Sequence, residues 1–154
     1  MYQVWQAHSR DDIDVVRSML REYQEQLGID LGFQGFEAEL ASLPGTYAPP
    51  TGRLLLASHD GMPRGCVALQ AVSASRGEMK RLYVRPNARG LGIGRLLVAR
   101  VLAEARAIGY DEVVLDTLPT MTEAQRLYEQ FGFVEIEPYR PNPIAGTKYL
   151  CKKL

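Results

Sequence analysis

The chain has 154 residues, an ordinary length for one domain, and we expect residues 1–154 to fold as a single unit around one core. Lysine plus arginine and aspartate plus glutamate each number 18, so the zero formal net charge argues against bulk attraction to nucleic acid or a membrane surface. No apolar run approaches the length of a membrane span, and charges between positions 10 and 14 interrupt any secretory signal.

One strand and two helices are predicted before the centre of the chain, followed by a hairpin. Ser9 and the acidic residues after it indicate a helix start, and Gly28 indicates the end of that helix. The predicted elements are a strand at 2–7, an amphipathic helix at 10–27, a weaker helix at 36–43, and paired strands at 53–58 and 65–73.

The second half of the chain alternates strands and helices, so the order as a whole is mixed α/β. The predicted elements are strands at 78–84, 111–116, 133–136 and 147–152, a helix at 93–108, and a helix that ends near 132. Gly109 is the expected C-cap of the first of these helices, and Thr122 to Gln125 reads as a capping box for the second.

A glycine-rich turn, Arg-Gly-Leu-Gly-Ile-Gly-Arg at 89–95, separates the strand at 78–84 from the helix at 93–108. A strand, glycine turn and helix in this order present bare backbone N–H groups to a phosphate, whose charge the helix dipole favours. The dinucleotide fingerprint would need a glycine at Arg95, and the P-loop would need lysine and serine or threonine after Gly94. Neither of these two motifs fits the sequence, and the pattern that remains is Arg-x-x-Gly-x-Gly. The alternative is a glycine-rich turn that begins the helix and binds no phosphate.

Two longer segments give this turn its context. Residues 78–94, EMKRLYVRPNARGLGIG, and residues 124–133, AQRLYEQFGF, resemble the GNAT superfamily of acetyl-CoA-dependent N-acetyltransferases, in the family's order. The resemblance implies a GNAT-like α/β domain with a mixed, mostly antiparallel central sheet flanked by about four helices. It also implies that the sheet splays between the strands at 78–84 and 113–117, where the pantetheine arm of acetyl-CoA lies. A homodimer is compatible with it.

The resemblance assigns cofactor contacts to two segments. The backbone of the turn is expected to hold the pyrophosphate through Arg89, Gly90, Leu91, Gly92, Ile93, Gly94 and Arg95. Side-chain charge from Arg89 or Arg95 would add to this, with solvated surface arginines as the alternative. Leu82 is expected to contact the pantetheine amide, and a bulge in its strand would free the Val84 N–H for the thioester carbonyl. Met121 departs from the family's asparagine, so the amide contact to the cofactor is expected either to be missing or to be supplied by Thr120 or Thr122.

Two side chains match catalytic positions of the family. Glu78 matches the glutamate that is a general base in some members, and a base is useful because freeing an amine with a pKa of about 10.4 costs ~4 kcal/mol at neutral pH. Tyr128 matches the tyrosine that protonates the leaving thiolate. The alternative for Glu78 is a polar residue that merely begins a strand. The alternative for Tyr128 is a core aromatic residue packed with Leu127 and Phe131.

The remaining expectations concern the substrate and the setting. Tyr23, Phe33, Tyr139 and Arg140 are candidate acceptor contacts, with packing or solvent exposure equally open for each. Cys66 and Cys151 read as reduced buried thiols of a cytoplasmic protein, and the histidines lack metal-ligand spacing, so no metal is predicted. We expect direct acetyl transfer from acetyl-CoA to a primary amine of a small molecule. Acetylation of a protein or peptide, and a non-catalytic acyl-CoA-binding sensor, remain alternatives, and the acceptor and the acyl chain stay open.

Overall fold

A seven-stranded sheet lies at the centre of the computed structural model, which describes residues 1–154, and helices cover both of its faces. The strands are β1 (Tyr2–Gln6), β2 (Arg53–His59), β3 (Met62–Ala71), β4 (Arg76–Val84), β5 (Glu112–Thr117), β6 (Val134–Ile136) and β7 (Lys148–Lys153). The helices are α1 (Arg10–Leu27), α2 (Phe36–Ser42), α3 (Ile93–Ile108) and α4 (Thr122–Gln130). The strand order is β1-β2-β3-β4-β5-β7-β6, and only β4 and β5 run parallel, which confirms the mixed, mostly antiparallel α/β sheet.

Local signals account for the ends of α1 and α3. The Ser9 side chain accepts a hydrogen bond from the Asp12 N–H at 3.0 Å, which satisfies one of the unpaired donors of the first turn of α1. Gly28 and Gly109 close α1 and α3 in the left-handed conformation, with φ values of 65° and 108°. The bounds of α3 are those predicted.

The predicted capping box at the start of α4 is wrong. Met121 precedes the helix, and its carbonyl accepts the Gln125 N–H at 3.0 Å, so Thr122 already lies inside the first turn. The Gln125 side chain donates to the Leu118 carbonyl at 2.8 Å instead of returning to a cap. The backbone turn before the helix therefore replaces the side-chain cap.

Two apolar layers lie on opposite faces of the sheet because side chains alternate along each strand. Leu55 and Leu69 face α3, whereas Leu54 and Leu56 face α1 and α2. None of the helices has the length and apolar character required to cross a bilayer.

The sheet splays between β4 and β5, as expected. Their pairing is limited to Arg76, Gly77 and Glu78 on β4 against Glu112, Val113 and Val114 on β5. Beyond this point β4 stays with β3 while β5 stays paired with β7 as far as Thr117. The two parallel strands therefore diverge and leave a gap in the middle of the sheet.

A bulge interrupts β4 beside this gap. Lys80 lies opposite Ala68 of β3, but Tyr83 lies opposite Cys66, so β4 carries one extra residue between the two pairs. Arg81 has a φ of 62°, a left-handed conformation that is uncommon for a residue with a side chain. The extra residue changes which backbone groups of β4 face the gap.

Candidate active site

The gap between β4 and β5 opens into a cavity of about 820 Å³. Its walls come from the glycine turn, both diverging strands, the start of α4, the end of α1 and the loop between β6 and β7. Of the residues singled out in the sequence, Tyr23, Phe33, Leu82, Val84, Arg89, Gly90, Gly92, Ile93, Gly94, Arg95 and Tyr128 border it. Leu91, Glu78, Tyr139 and Arg140 do not.

The glycine turn presents unpaired backbone donors at one end of the cavity. Gly92 precedes α3 with a φ of 81° and provides no side-chain cap, and the first hydrogen bond of the helix runs from the Leu96 N–H to the Gly92 carbonyl. The amides of residues 92–95 consequently have no partner within the helix. A Cβ built on Gly90 or Gly92 would meet no atom within 4 Å, so the backbone is open on that side. This is the geometry that binds a phosphate.

The two arginines of the turn are exposed and point in different directions. The Arg89 guanidinium donates to the Gln26 side chain of α1 at 2.6 Å. Arg95 donates to the Gln130 side chain, and its guanidinium lies 5.6 Å from the centre of the Phe131 ring. Both side chains thus combine a local contact with a position at the rim of the cavity.

The bulge turns the Val84 N–H toward the gap. In an antiparallel ladder, alternate residues point their N–H groups to opposite sides. The Arg85 N–H donates to the Arg64 carbonyl of the β3 side at 2.8 Å, so the Val84 N–H points away from β3. On that side β5 has already separated from β4, which leaves the Val84 donor directed at the cavity.

Tyr128 lies in the wall of the cavity on α4 and is only 6% exposed. Its ring packs against Phe133, with 5.7 Å between the ring centres. Burial raises the pKa of the Tyr128 hydroxyl, and the neighbouring Tyr23 and Asp116 raise it further. The hydroxyl is therefore protonated at neutral pH and available as a proton donor.

Glu78 is buried at the fork of the gap, with 1% of its surface exposed. Its carboxylate accepts hydrogen bonds from the Tyr139 hydroxyl at 2.6 Å, Arg140 at 2.7 Å and the Gln70 amide at 2.9 Å. Burial, followed by the adjacent Glu78 carboxylate, raises the pKa of Tyr139. Tyr139 and Arg140 thus fasten the loop between β6 and β7 to the start of β4.

Several polar residues of the cavity were not singled out in the sequence, namely Gln34, Lys80, Arg81, Asp116 and Asn142. Lys80 and Arg81 follow Glu78 on a strand that is otherwise largely buried, and Asp116 stands near the end of β5. Charged residues within buried strands are rare unless they are paired or functional, so these charges were the feature of the sequence that could have indicated the cavity residues. Arg81 has a partner, because its guanidinium binds both oxygens of Glu39 at 2.9 and 3.0 Å.

Comparisons with known proteins agree with this geometry. A sequence model of the acetyltransferase (GNAT) family matches residues 15–133, more than half of the chain. The chain belongs to the GNAT family. An uncharacterized N-acetyltransferase of Schizosaccharomyces pombe is 43% identical over 141 residues, which covers 90% of this chain and 86% of that protein.

Solved GNAT structures share the fold. An acetyltransferase from Streptococcus agalactiae superposes with a TM-score of 0.82 at 20% identity, covering 99% of this chain and 98% of its own. A GNAT acetyltransferase from Elizabethkingia anophelis, crystallised with acetyl-CoA bound, has a TM-score of 0.58 at 25% identity, covering 68% of this chain and 77% of its own. Family membership makes the protein an acyltransferase.

Proposed function

We propose that this GNAT protein transfers an acetyl group directly from acetyl-CoA to the primary amine of a small molecule. The observation that carries the proposal is that one cavity is lined both by the open glycine turn and by Tyr128. Transfer from a long phosphate-bearing donor requires a phosphate-binding element and a proton donor on the same cavity. Neither cysteine borders the cavity, which favours direct transfer over an acyl-enzyme.

The residues present fit acetyl-CoA as the donor. The amides of residues 92–95 and the rim charges of Arg89 and Arg95 suit a pyrophosphate, while Gly90 leaves the turn without a side chain that would block it. The apolar Leu82 and Val84 border the gap where the extended arm of the donor is expected. Acetyl-CoA supplies the thioester carbonyl that the amine attacks.

The Val84 N–H is the proposed donor to the carbonyl oxygen as negative charge develops on it. The donor is fixed by the backbone of β4 and needs no reorganisation, which is the condition for strong electrostatic stabilisation. One such hydrogen bond commonly contributes about 10²–10³ in rate. Tyr128 is the proposed acid that protonates the leaving thiolate, since its hydroxyl remains protonated in its buried setting.

Two carboxylates are candidates for the group that accepts the amine proton. Glu78 has the position that the family resemblance indicates, but three donors already stabilise its carboxylate and it does not border the cavity. Asp116 borders the cavity, and burial followed by the nearby Glu78 charge raises its pKa, which makes it a stronger base than an ordinary aspartate. We propose that Asp116 faces the amine, and that Glu78 acts through a proton relay or by positioning its neighbours.

The shape of the acceptor end favours a small molecule. Tyr23, Phe33 and Ile144 contribute side chains from three separate segments around it. Tyr139 and Arg140 would affect acceptor binding indirectly, because their hydrogen bonds to Glu78 hold the loop that carries Ile144. We infer from these three apolar side chains around one cavity that the acceptor is a compact amine rather than a polypeptide chain.

The test is free-thiol release from acetyl-CoA over a panel of amino acids, polyamines, aminoglycosides and short peptides, with Tyr128→Phe as the inactive control. Release that requires a small amine and Tyr128 would support the proposal. Thiol release with peptides alone would show that the acceptor is a polypeptide and would contradict the proposed small-molecule acceptor. Tight acetyl-CoA binding in calorimetry without release by any acceptor would identify a sensor and refute the proposal.

A further inference from the structure

The charges on the acceptor side of the gap are unevenly paired. Arg81 is 5% exposed and forms its two hydrogen bonds with Glu39, while Arg140 is paired with the buried Glu78 at 2.7 Å. Lys80 and Asp116 are also partly buried and border the cavity, yet no ion pair joins either of them to another residue. One cation and one carboxylate therefore remain without a counter-charge at contact distance.

The topology puts these two residues on opposite walls of the same space. Lys80 lies two residues beyond Glu78 on β4, and Asp116 lies two residues beyond Val114, which is paired with Glu78 on β5. Side chains two positions apart on a strand face the same side. Lys80 and Asp116 therefore both face the side of α1 and α2, one on each strand, just where β4 and β5 diverge.

Each of the two groups shows the effect of a missing partner. Burial lowers the pKa of Lys80, and the positive charge of Arg81 lowers it further. Burial raises the pKa of Asp116 and Glu78 raises it further, and the smaller lowering effects of Lys80, a hydrogen bond with Asn142 and Arg140 do not cancel this rise. Both shifts disfavour the charged form, and a ligand that brings the opposite charge to each group would reverse them.

A third polar group at the same cavity lacks a partner. The side-chain oxygen of Gln34, on the turn between α1 and α2, is buried and accepts no hydrogen bond within the protein. Buried polar atoms are normally hydrogen-bonded, so an orphan that borders a cavity points to a polar ligand. The cavity wall thus contains a cation, an anion and an unsatisfied amide oxygen that a polar ligand could bind.

We propose that the acceptor is an amine that also carries a carboxylate, such as an α-amino acid, with its carboxylate on Lys80 and its amine beside Asp116. The inference rests on the proposed acetyltransferase function and specifies its substrate class. The orientation follows from the proposed role of Asp116 as the group that accepts the amine proton, and Asp116, Lys80 and Tyr128 all line the same cavity. Lys80 faces the same space from the other strand.

The experiment compares each α-amino acid with its carboxamide, which keeps the amine and removes the carboxylate charge. Thiol release gives kcat and KM for the wild type, Lys80→Met, Lys80→Arg and Lys148→Met, the last removing an exposed lysine outside the cavity. A second readout is calorimetric binding of the best amino acid to the protein saturated with CoA, which requires no turnover.

A charge-assisted hydrogen bond to a carboxylate corresponds to about 10- to 150-fold in affinity. We expect the wild type to prefer amino acids over their carboxamides by at least about tenfold in kcat/KM. Lys80→Met should remove that preference through KM and weaken calorimetric binding by a similar factor, with a much smaller change for the carboxamides. Lys80→Arg should retain part of the preference, and Lys148→Met should behave as the wild type.

Two results would overturn the inference while the proposed function stands. One is equal use of carboxamides and amino acids by the wild type, and the other is an equal loss for both substrates in Lys80→Met. Absence of thiol release with every amine tested would overturn the proposed function together with this inference.

Discussion

Replacing Tyr128 by phenylalanine is expected to abolish turnover while leaving the fold and acetyl-CoA binding intact. Burial is the main cause of the raised pKa of the Tyr128 hydroxyl, and no hydrogen bond is among the causes. Removing the hydroxyl therefore leaves no hydrogen-bonding group of the protein without its partner. The ring contact with Phe133, at 5.7 Å, is preserved by phenylalanine. Loss of a positioned acid costs about 10²–10⁴ in rate, or about 2.7–5.4 kcal/mol of transition-state stabilisation at 1.36 per tenfold.

The assay is kcat from thiol release, together with the calorimetric Kd for acetyl-CoA and the free energy of unfolding. Tyr110→Phe is the matched control, because the Tyr110 hydroxyl donates to the Thr51 carbonyl at 2.6 Å and does not border the cavity. That variant should lose about 1 kcal/mol of stability and keep its kcat. A Tyr128→Phe protein that retains more than about a third of wild-type kcat would refute the role of the hydroxyl, since a positioned acid contributes far more.

Three further substitutions test other parts of the site. Gly92→Val forces a β-branched residue into a left-handed φ of 81°, at a cost of about 1–3 kcal/mol, and should weaken acetyl-CoA binding measured by calorimetry. Asp116→Asn should remove the acidic limb of the kcat/KM profile against pH. Asp116→Asn should also raise the free energy of unfolding at neutral pH, because the raised pKa of Asp116 means that its ionised form is disfavoured in the folded protein. This gain in stability should vanish below about pH 4, where the aspartate is protonated in the unfolded chain as well. Arg81→Met should destabilise the protein by about 3–5 kcal/mol in chemical denaturation, because it leaves the Glu39 carboxylate unpaired.

Each of these predictions has a control within the chain. Gly109→Val introduces the same strain at the other end of α3, so it should lower stability and leave the Kd for acetyl-CoA unchanged. Glu78→Gln is the counterpart of Asp116→Asn, and loss of the acidic limb in Glu78→Gln alone would assign the base to Glu78. Adding Glu39→Gln to Arg81→Met should recover part of the lost stability, and an additive further loss would contradict the pairing argument.

Elements whose signals are local were predicted well. The helix α3 has the predicted bounds because its apolar spacing and Gly109 lie within its own sequence. The end of α1 at Gly28 is equally local. The capping box at Thr122 failed because backbone hydrogen bonds of Met121, which the side-chain pattern does not show, define the start of α4.

The surroundings of Glu78 depend on contacts that no local pattern contains. Tyr139 and Arg140 are 61 and 62 residues away along the chain, yet both bind its carboxylate. The sequence indicated Glu78 as a base and the other two as substrate contacts. The fold joins all three into one hydrogen-bonded group beside the cavity.

The sequence by itself determined the order of strands and helices, the glycine turn before α3 and the membership of the GNAT family. These depend on spacings within short segments and on two motifs. Only the tertiary structure decided which charges are compensated, because pairing of Arg81 with Glu39 spans 42 residues and the isolation of Lys80 and Asp116 follows from the divergence of β4 and β5. An ion pair needs two groups within a few ångströms, and that distance is set by the fold rather than by the separation of residues along the chain.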